Sequence, residues 1–441
     1  MFAKINFHDE FYQKLKLLVL PITMQQFMLA LVSATDAIML GAVSQTSLSA
    51  VSLAGQIQFV LNLFISGISA GSGIMAAQYW GKKDAASIEE VMPIALRTNL
   101  IFSGAFTVFA AVAPEVLMRI FTSDPALIES GAVYLRAVSL SYLLCGISQI
   151  YLILLKNTGY ATVSSRISCT AVVVNIICNA ILIYGLLGLP ALGIQGAAYA
   201  TVAARLVELI WSYLETKQSG RVQIIWKKMF HAADAVLTKD FWRYTTPVLG
   251  AALVWGIAYV SYSVIMGHMG SDAVAANSIT TIAKNMLSCL IRGVSGGAGV
   301  LIGNLLGAGE LDKAKVYGGR LTRMAIVVGM TTGGLLMLIS PLIVRFAPLS
   351  ETAAEYLQYM LIFCGCNICA GGDSKFDMKG NLGAMWCFSV PFGFFAAFVL
   401  KWPVMVVYCI VNLDEIVKIP AVYLHYKKYI WVRNITVQED A

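Results

Sequence analysis

The sequence predicts an all-α polytopic membrane protein. About twelve transmembrane helices are expected, in two homologous six-helix lobes related by a pseudo-twofold axis along the membrane normal. Three observations lead there. Of 441 residues, 58% are apolar and 12% are charged, against roughly 45–50% and 25% in soluble domains. The apolar residues gather in twelve long runs. The first half of the chain also matches the second, residue for residue in places.

The composition excludes a soluble enzyme, a disordered chain and a nucleic-acid-binding domain as readings of the whole chain. The net charge of +7 fits loops rich in Lys and Arg on one side of a membrane. Met1 to Lys16 is polar and of mixed charge. The apolar run after it is about 24 residues long, beyond the roughly 7–15 of a cleaved signal, so it is expected to be a first membrane helix.

The runs lie near 17–40, 49–75, 92–113, 132–155, 164–187, 193–213, 244–266, 273–303, 318–344, 353–370, 381–400 and 403–424. Each is long enough to cross a core of about 30 Å as a helix, and none alternates as a membrane strand does. Basic residues cluster in alternate connections: Lys82 and Lys83, Lys156 and Arg166, the group from Lys217 to Arg243, and Lys313 to Arg323. Lys4, Lys14 and Lys16, with Lys427, Lys428 and Arg433, put both termini on that side. The positive-inside rule makes it the cytoplasm, as an even number of spans requires. The expected organisation is a cytoplasmic segment 1–16, an N-lobe 17–213, a cytoplasmic linker 214–241, a C-lobe 242–425 and a cytoplasmic tail 426–441.

The repeat is ungapped at an offset of 226 through the first two spans of each half. Pro21 meets Pro247, Gly41 meets Gly267, Gln78 meets Asn304 and Gly81 meets Gly307. Gly67-Ile-Ser-Ala-Gly71-Ser-Gly73 meets Gly293-Val-Ser-Gly-Gly297-Ala-Gly299. The offset then falls to 222 at Tyr134 and Tyr356 and to 213 at Pro190 and Pro403, so the second half is nine residues shorter near its tenth span. A parallel repeat of this kind is the plan of a rocking transporter.

Asp36 lies deep in the first span. A carboxylate there is costly to insert and marks a functional site, which a proton or Na⁺ would neutralise. Asn175 and Asn179 are one turn apart in the fifth span, and Thr201 lies in the sixth. Their oxygens are hard ligands suited to Na⁺, or partners for Asp36; polar glue between helices is the plainer reading. Arg205 with Glu208, and Glu415 with Lys418, are i, i+3 pairs read as structural ion pairs near the cytoplasmic ends. Lys284 and Arg292 lie in the eighth span; Lys284 either snorkels or binds an anionic group. Trp255, Tyr259 and Tyr262 recur at helical spacing in the seventh, fit to stack on a planar cation or to pack ordinarily.

Other motifs carry less. The GxSxG patterns at Gly67 and Gly293 lack the strand context and the His base of a hydrolase, so they read as close helix packing. Nine scattered Cys, with Cys364, Cys366 and Cys369 off a common helix face, read as structural thiols rather than metal ligands. No P-loop is present, which argues against direct drive by ATP.

Together these residues resemble the multidrug and toxic compound extrusion family of secondary antiporters. The matching features are Pro21 with Gln25 and Gln26, Asp36 leading into Ile38-Met-Leu-Gly41, and Ala77-Gln-Tyr-Trp-Gly81. Gly303-Asn-Leu-Leu-Gly-Ala-Gly309, Ala370-Gly-Gly-Asp-Ser-Lys-Phe376 and Asp414-Glu-Ile-Val-Lys418 complete the set. The resemblance spans residues 15–436. It implies two six-helix lobes around a central cavity, with a gradient of Na⁺ or H⁺ driving export of small organic, often cationic, compounds. It implies that Asp36, Asn175, Asn179 and Thr201 form the coupling-ion site, with no other cofactor; Gln25, Gln26, Trp255, Tyr259, Tyr262 and Lys284 are the candidates for the substrate cavity. Where some members have an Asp, this chain has Asn179, and acids found elsewhere in the seventh and tenth helices are missing. Asp373 and Asp377 lie beyond the tenth span.

The expected function is therefore cation-coupled multidrug export by a monomer in a prokaryotic inner membrane, by alternating access. The alternatives are a flippase for a lipid-linked saccharide, for which Lys284 and Arg292 would supply the cationic cavity, and a degenerate member that binds without transporting. A membrane enzyme would need a His, Cys or metal cluster that the sequence does not display.

Overall fold

A computed structural model describes residues 10–43, 45–122, 124–188, 190–229, 235–267, 269–346, 350–370, 382–413 and 417. Among them the regular structure is helical, with no strand. In a bilayer core only a helix or a closed barrel satisfies its own backbone, and runs of this length favour the helix. The long helices are α1 (Glu10–Val43), α2 (Gln45–Gly81), α3 (Ala85–Val112), α5 (Pro125–Asn157), α6 (Ala161–Tyr184) and α7 (Ile194–Thr216), with a short α4 (Pro114–Arg119) between the third and fourth spans. The second half supplies α8 (Ala235–Gly267), α9 (Ser271–Gly307), α10 (Leu311–Phe346) and α11 (Glu351–Ala370). A helical run over 382–399 and a last helix, Val404–Val411, follow. Each of the twelve apolar runs overlaps one of these helices among the described residues.

Eight of the helices are long and apolar enough to cross a membrane by length and composition alone. The others are shorter or carry charges, as α7 does with Arg205, Glu208 and Glu215. Turn chemistry sets the breaks. Asp84 caps α3 by accepting from the Ser87 amide at 3.1 Å, and Asp124 caps α5 through Ala126 at 2.9 Å, with Pro125 next. Gly185 ends α6 in the left-handed conformation, φ 71°.

The chain forms two compact units. One holds the chain through Leu249 together with Gly299–Gly309; the other holds Gly250–Ala298 and the chain from Glu310. In the first, Met75, Ile88, Met92, Ile150 and Tyr151 centre one apolar cluster, and Leu61, Leu135, Val138 and Tyr142 centre another. In the second, Met266, Leu336, Leu357 and Met360 centre the main cluster.

The connection between the halves is less exposed than its polar composition suggests. Val222, Ile224 and Met229 are buried in the same cluster as Tyr151 and Phe241. The Trp226 indole donates to the Tyr151 hydroxyl at 2.7 Å, and Lys228 pairs with Glu90 of α3 at 2.6 Å. Arg221 pairs with Glu215 and lies 4.4 Å above the Tyr160 ring.

Glycine makes the closest helix contacts, as the packing reading of the GxSxG pattern anticipates for the first half. Within the first unit a Cβ on Gly67 would meet the Leu249 backbone at 2.8 Å, and one on Gly71 would meet Thr245. Where α2 and the end of α9 touch, the contacts are reciprocal. Gly81 abuts the Asn304 carbonyl, and Gly307 abuts the Gln78 carbonyl. Ala77 faces Gly303. Gln78 with Asn304, Gly81 with Gly307 and Ala77 with Gly303 are all equivalent pairs of the repeat.

A methyl group added at Gly81 or Gly307 has no flexible side chain to displace, only a backbone carbonyl. Gly81→Ala and Gly307→Ala are each expected to cost about 1–3 kcal/mol. Gly104→Ala in α3 meets nothing within 4 Å and is expected to gain about 0.5–1 kcal/mol from helix propensity. Thermal unfolding of the detergent-solubilised protein measures both; equal melting temperatures for Gly81→Ala and Gly104→Ala would contradict the contact.

Candidate functional site

Asp36 stands on α1, and the structure brings Asn175, Asn179 and Thr201 to it. The Asn179 amide nitrogen donates to Asp36 Oδ1 at 2.6 Å and to Asn175 Oδ1 at 3.1 Å. Asn175 in turn donates to the Thr201 hydroxyl at 3.4 Å, and Thr201 donates to the Ala197 carbonyl. Asn175 and Asn179 are buried, while Asp36 is half-buried. Asn179 Oδ1 is buried without a hydrogen-bond partner. The four side chains thus gather a carboxylate, two amide oxygens and a hydroxyl, a set of hard donors, with one amide oxygen unsatisfied. That set fits a small hard cation, and a proton carried on Asp36 would equally supply the donor that Asn179 Oδ1 lacks.

Tyr134, a repeat position in the sequence, joins this group. It is buried, pairs with Thr201 and lies within electrostatic reach of Asp36.

A second polar cluster lies along the same pair of helices. Gln25 Nε2 donates to the Ser168 hydroxyl at 2.8 Å, and Ser165 donates to the Pro21 carbonyl at 2.6 Å. Gln25–Ser168 and Asp36–Asn179 have the same sequence separation, 143. Eleven residues are three helical turns, so α1 and α6 run parallel in fixed register over about 16 Å. Ser168 also donates to Glu208 Oε1 at 3.3 Å. Glu208 Oε2 accepts from Ser148 at 3.0 Å and from Arg205 at 2.7 Å. Arg205 and Glu208 are the ion pair the sequence suggests. Their setting differs from that reading: Glu208 is 1% exposed and tied to α5 and α6.

The remaining residues are placed as follows. Gln26 is half-buried on α1. Trp255 and Tyr259 stack at 5.5 Å and 19°, with Trp255 37% exposed. Tyr262 packs against the cluster around Ile265 and Val407. Lys284 is half-buried within electrostatic reach of Cys364, and Arg292 donates to Asn285 at 3.2 Å. The segment Gly371–Phe376, Asp377, Asp414, Glu415, Lys418 and all four His lie outside the described residues. So do the side chains of Cys366 and Cys369.

Comparison with known proteins gives one consistent picture. The MatE family model matches residues 21–181 and again 247–371. The two matches begin at Pro21 and Pro247, equivalent positions of the repeat. An uncharacterized transporter of Bacillus subtilis, YisQ, is 22% identical over 412 residues, 90% of each chain. The probable multidrug resistance protein NorM of Agrobacterium fabrum is 25% identical over 74% of this chain and 70% of its own. Multidrug resistance protein MdtK of Yersinia enterocolitica is 26% identical over 68% and 66%. Among solved structures, a MOP superfamily transporter from Pyrococcus furiosus superposes with a TM-score of 0.84 at 18% identity, covering 95% of this chain and 96% of its own. An outward-facing multidrug resistance transporter of the MATE family gives 0.79 at 17%, with the same coverage. The shared fold is thus the two-lobed helical one expected.

Removing the Glu208 charge leaves the half-buried Arg205 without its ion-pair partner. Glu208→Gln is expected to destabilise the protein by about 3–5 kcal/mol, and Glu208→Gln combined with Arg205→Met to recover most of that. Thermal unfolding of the two variants checks it; a single variant no less stable than the double would show that the pair is not the constraint.

Proposed function

The chain belongs to the MatE family, and on that premise we propose that it is a secondary active multidrug exporter, in which Na⁺ or H⁺ entering at Asp36 drives out small organic compounds. The observation that carries the proposal is the unsatisfied Asn179 oxygen within the Asp36 cluster. Asp36 supplies the charge. Asn175, Asn179 and Thr201 supply neutral oxygens, and Tyr134 lies beside Thr201.

With the ion absent, the Asp36 carboxylate is held by the Asn179 N–H alone among the described side chains. With the ion present, the charge is neutralised and the amide is free to turn its oxygen inward. A neutral cluster is easier to bury than a charged one. The ion therefore favours whichever arrangement of the helices encloses the site, and its loss favours the other. Alternation between the two, with the six-helix lobes 17–213 and 242–425 rocking about the cavity, exchanges ion for compound. Both termini and the linker 214–241 then face the cytoplasm, and the protein acts as a monomer in the inner membrane.

The names of its relatives point to a range of small organic compounds, and the stacked Trp255–Tyr259 pair favours planar cationic ones among them. An aromatic pair binds such a cation through its faces. Gln26, Tyr262 and Lys284 complete the proposed path, with Gln25 joined to the helix network behind it.

The test is dye accumulation in everted vesicles whose lumen is loaded with Na⁺ or, separately, with acid. Dye uptake under one of the two gradients is expected, and Asp36→Asn is expected to bring it to the level of vesicles without the protein. Uptake under neither gradient sinks the antiport reading. Uptake that survives Asp36→Asn moves the coupling site elsewhere.

A further inference from the structure

Outside the site, one cavity of about 410 Å³ is lined by Arg97, Leu100, Ile101 and Met229. Three of these residues belong to α3. Met229 comes from the linker turn Trp226–Met229, which is fixed on α3 by the Lys228–Glu90 pair and on α5 by the Trp226–Tyr151 bond. The linker therefore builds one wall of a pocket that α3 alone would not have.

The pocket lies where α3 passes from a charged to an apolar environment. Glu90, with its lysine, is seven residues before Arg97, about 10 Å along the helix. Beyond Arg97 the exposed residues are apolar: Ile101 at 62%, Val108 at 59% and Val112 at 76%. Those exposures on a membrane-spanning helix mark a lipid-facing stripe. Arg97 is exposed at the head of that stripe and makes no hydrogen bond or ion pair with the described residues. Lys82, Lys83 and Lys227 lie at the same end, in the turn before α3 and on the linker, beside the Lys228–Glu90 pair. A guanidinium with five free donors, an apolar groove below it and a basic rim above it match one kind of molecule.

We propose that this pocket binds a single anionic phospholipid. Its phosphate is held by the Arg97 guanidinium, and an acyl chain lies along Leu100 and Ile101 against Met229. Arg97 snorkels to headgroup level and meets phosphate with its planar fork, while the basic rim selects a net negative headgroup over a zwitterionic one. The inference needs only that the chain spans a membrane; it does not depend on what is exported. The lipid ties the linker turn to α3, so the segment joining the two halves is anchored at the bilayer surface as well as on the protein.

Native mass spectrometry of the full chain in mild detergent, titrated with phosphatidylglycerol and with phosphatidylcholine, tests this. One phosphatidylglycerol per chain is expected to be retained in preference to phosphatidylcholine. Arg97→Gln is expected to weaken that retention about tenfold with the melting temperature in detergent unchanged. Arg97→Lys keeps the charge without the fork and is expected to fall between. Ile101→Ser is expected to weaken phosphatidylglycerol through its acyl chain. Equal retention of the two lipids overturns the proposal, as does full retention by Arg97→Gln. Displacement of phosphatidylglycerol by millimolar inorganic phosphate, with Ile101→Ser unchanged, overturns it too, by making the site one for a free anion. If Arg97→Gln does not fold, the comparison of Arg97→Lys with the native chain decides. Dye transport is measured separately, so failure of the export reading leaves this result standing, and the reverse.

Discussion

The Glu208 carboxylate receives Arg205, Ser148 and Ser168 at once. In a medium with little water a buried carboxylate with fewer partners would be driven to neutralise, while the half-buried Arg205 guanidinium cannot give up its charge. The two charges therefore need each other, and the serines fix where they meet. Ser148 stands on α5, Ser168 on α6, and both charged residues on α7. Through Ser168 and Gln25 the same point holds α1. One interaction thus sets the spacing of four helices at one end of the α1–α6 seam. Asp36 and Asn179 sit three turns along that seam, and their 2.6 Å contact depends on a register that Gln25 and Ser168 also hold. The candidate ion site is a local cluster only in its ligands; its geometry is inherited from a charge pair some distance away.

Much of this was legible in the sequence, and for a definite reason. Polar residues are costly in a membrane span, so few are present and each one is informative. Asn175 and Asn179 share a helix face by spacing alone, and Asp36 is the lone acid of its span. The structure brings them together with Thr201 as that spacing suggests. Gln25 with Asp36, and Ser168 with Asn179, are also eleven residues apart, a spacing of three turns, and the seam they form was readable in principle. The setting of Glu208 was not. Helical period pairs it with Arg205 on its own helix and is silent about Ser148 and Ser168 on two others. Tyr134 was hidden for the same reason, since an aromatic residue in an apolar run carries no polar signal until its hydroxyl is seen near Thr201.

The linker misleads in the opposite sense. Its lysines and arginines dominate its composition and suggest a solvated strap. Val222, Ile224 and Met229 are only three residues, too few and too irregular to show a period, yet they are buried with Tyr151 and Phe241. Composition averages over a segment, whereas burial is decided residue by residue. Charged side chains on such a strap are held by carboxylates, Lys228 by Glu90 and Arg221 by Glu215, while the apolar ones go into the core.

The reciprocal contact of α2 with the end of α9 has a further meaning. Ala77 faces Gly303, its own counterpart, while Gln78 meets Gly307 and Gly81 meets Asn304. A surface that touches its own copy in this crossed manner is isologous, the signature of a two-fold dimer. In an ancestor with one six-helix gene product, a side chain added at that glycine would have struck the partner twice, once from each subunit. Gene fusion halves that burden, because each copy then changes alone. At the equivalent positions glutamine in one half corresponds to asparagine in the other and alanine to glycine, while both residues that press on a backbone carbonyl are glycine.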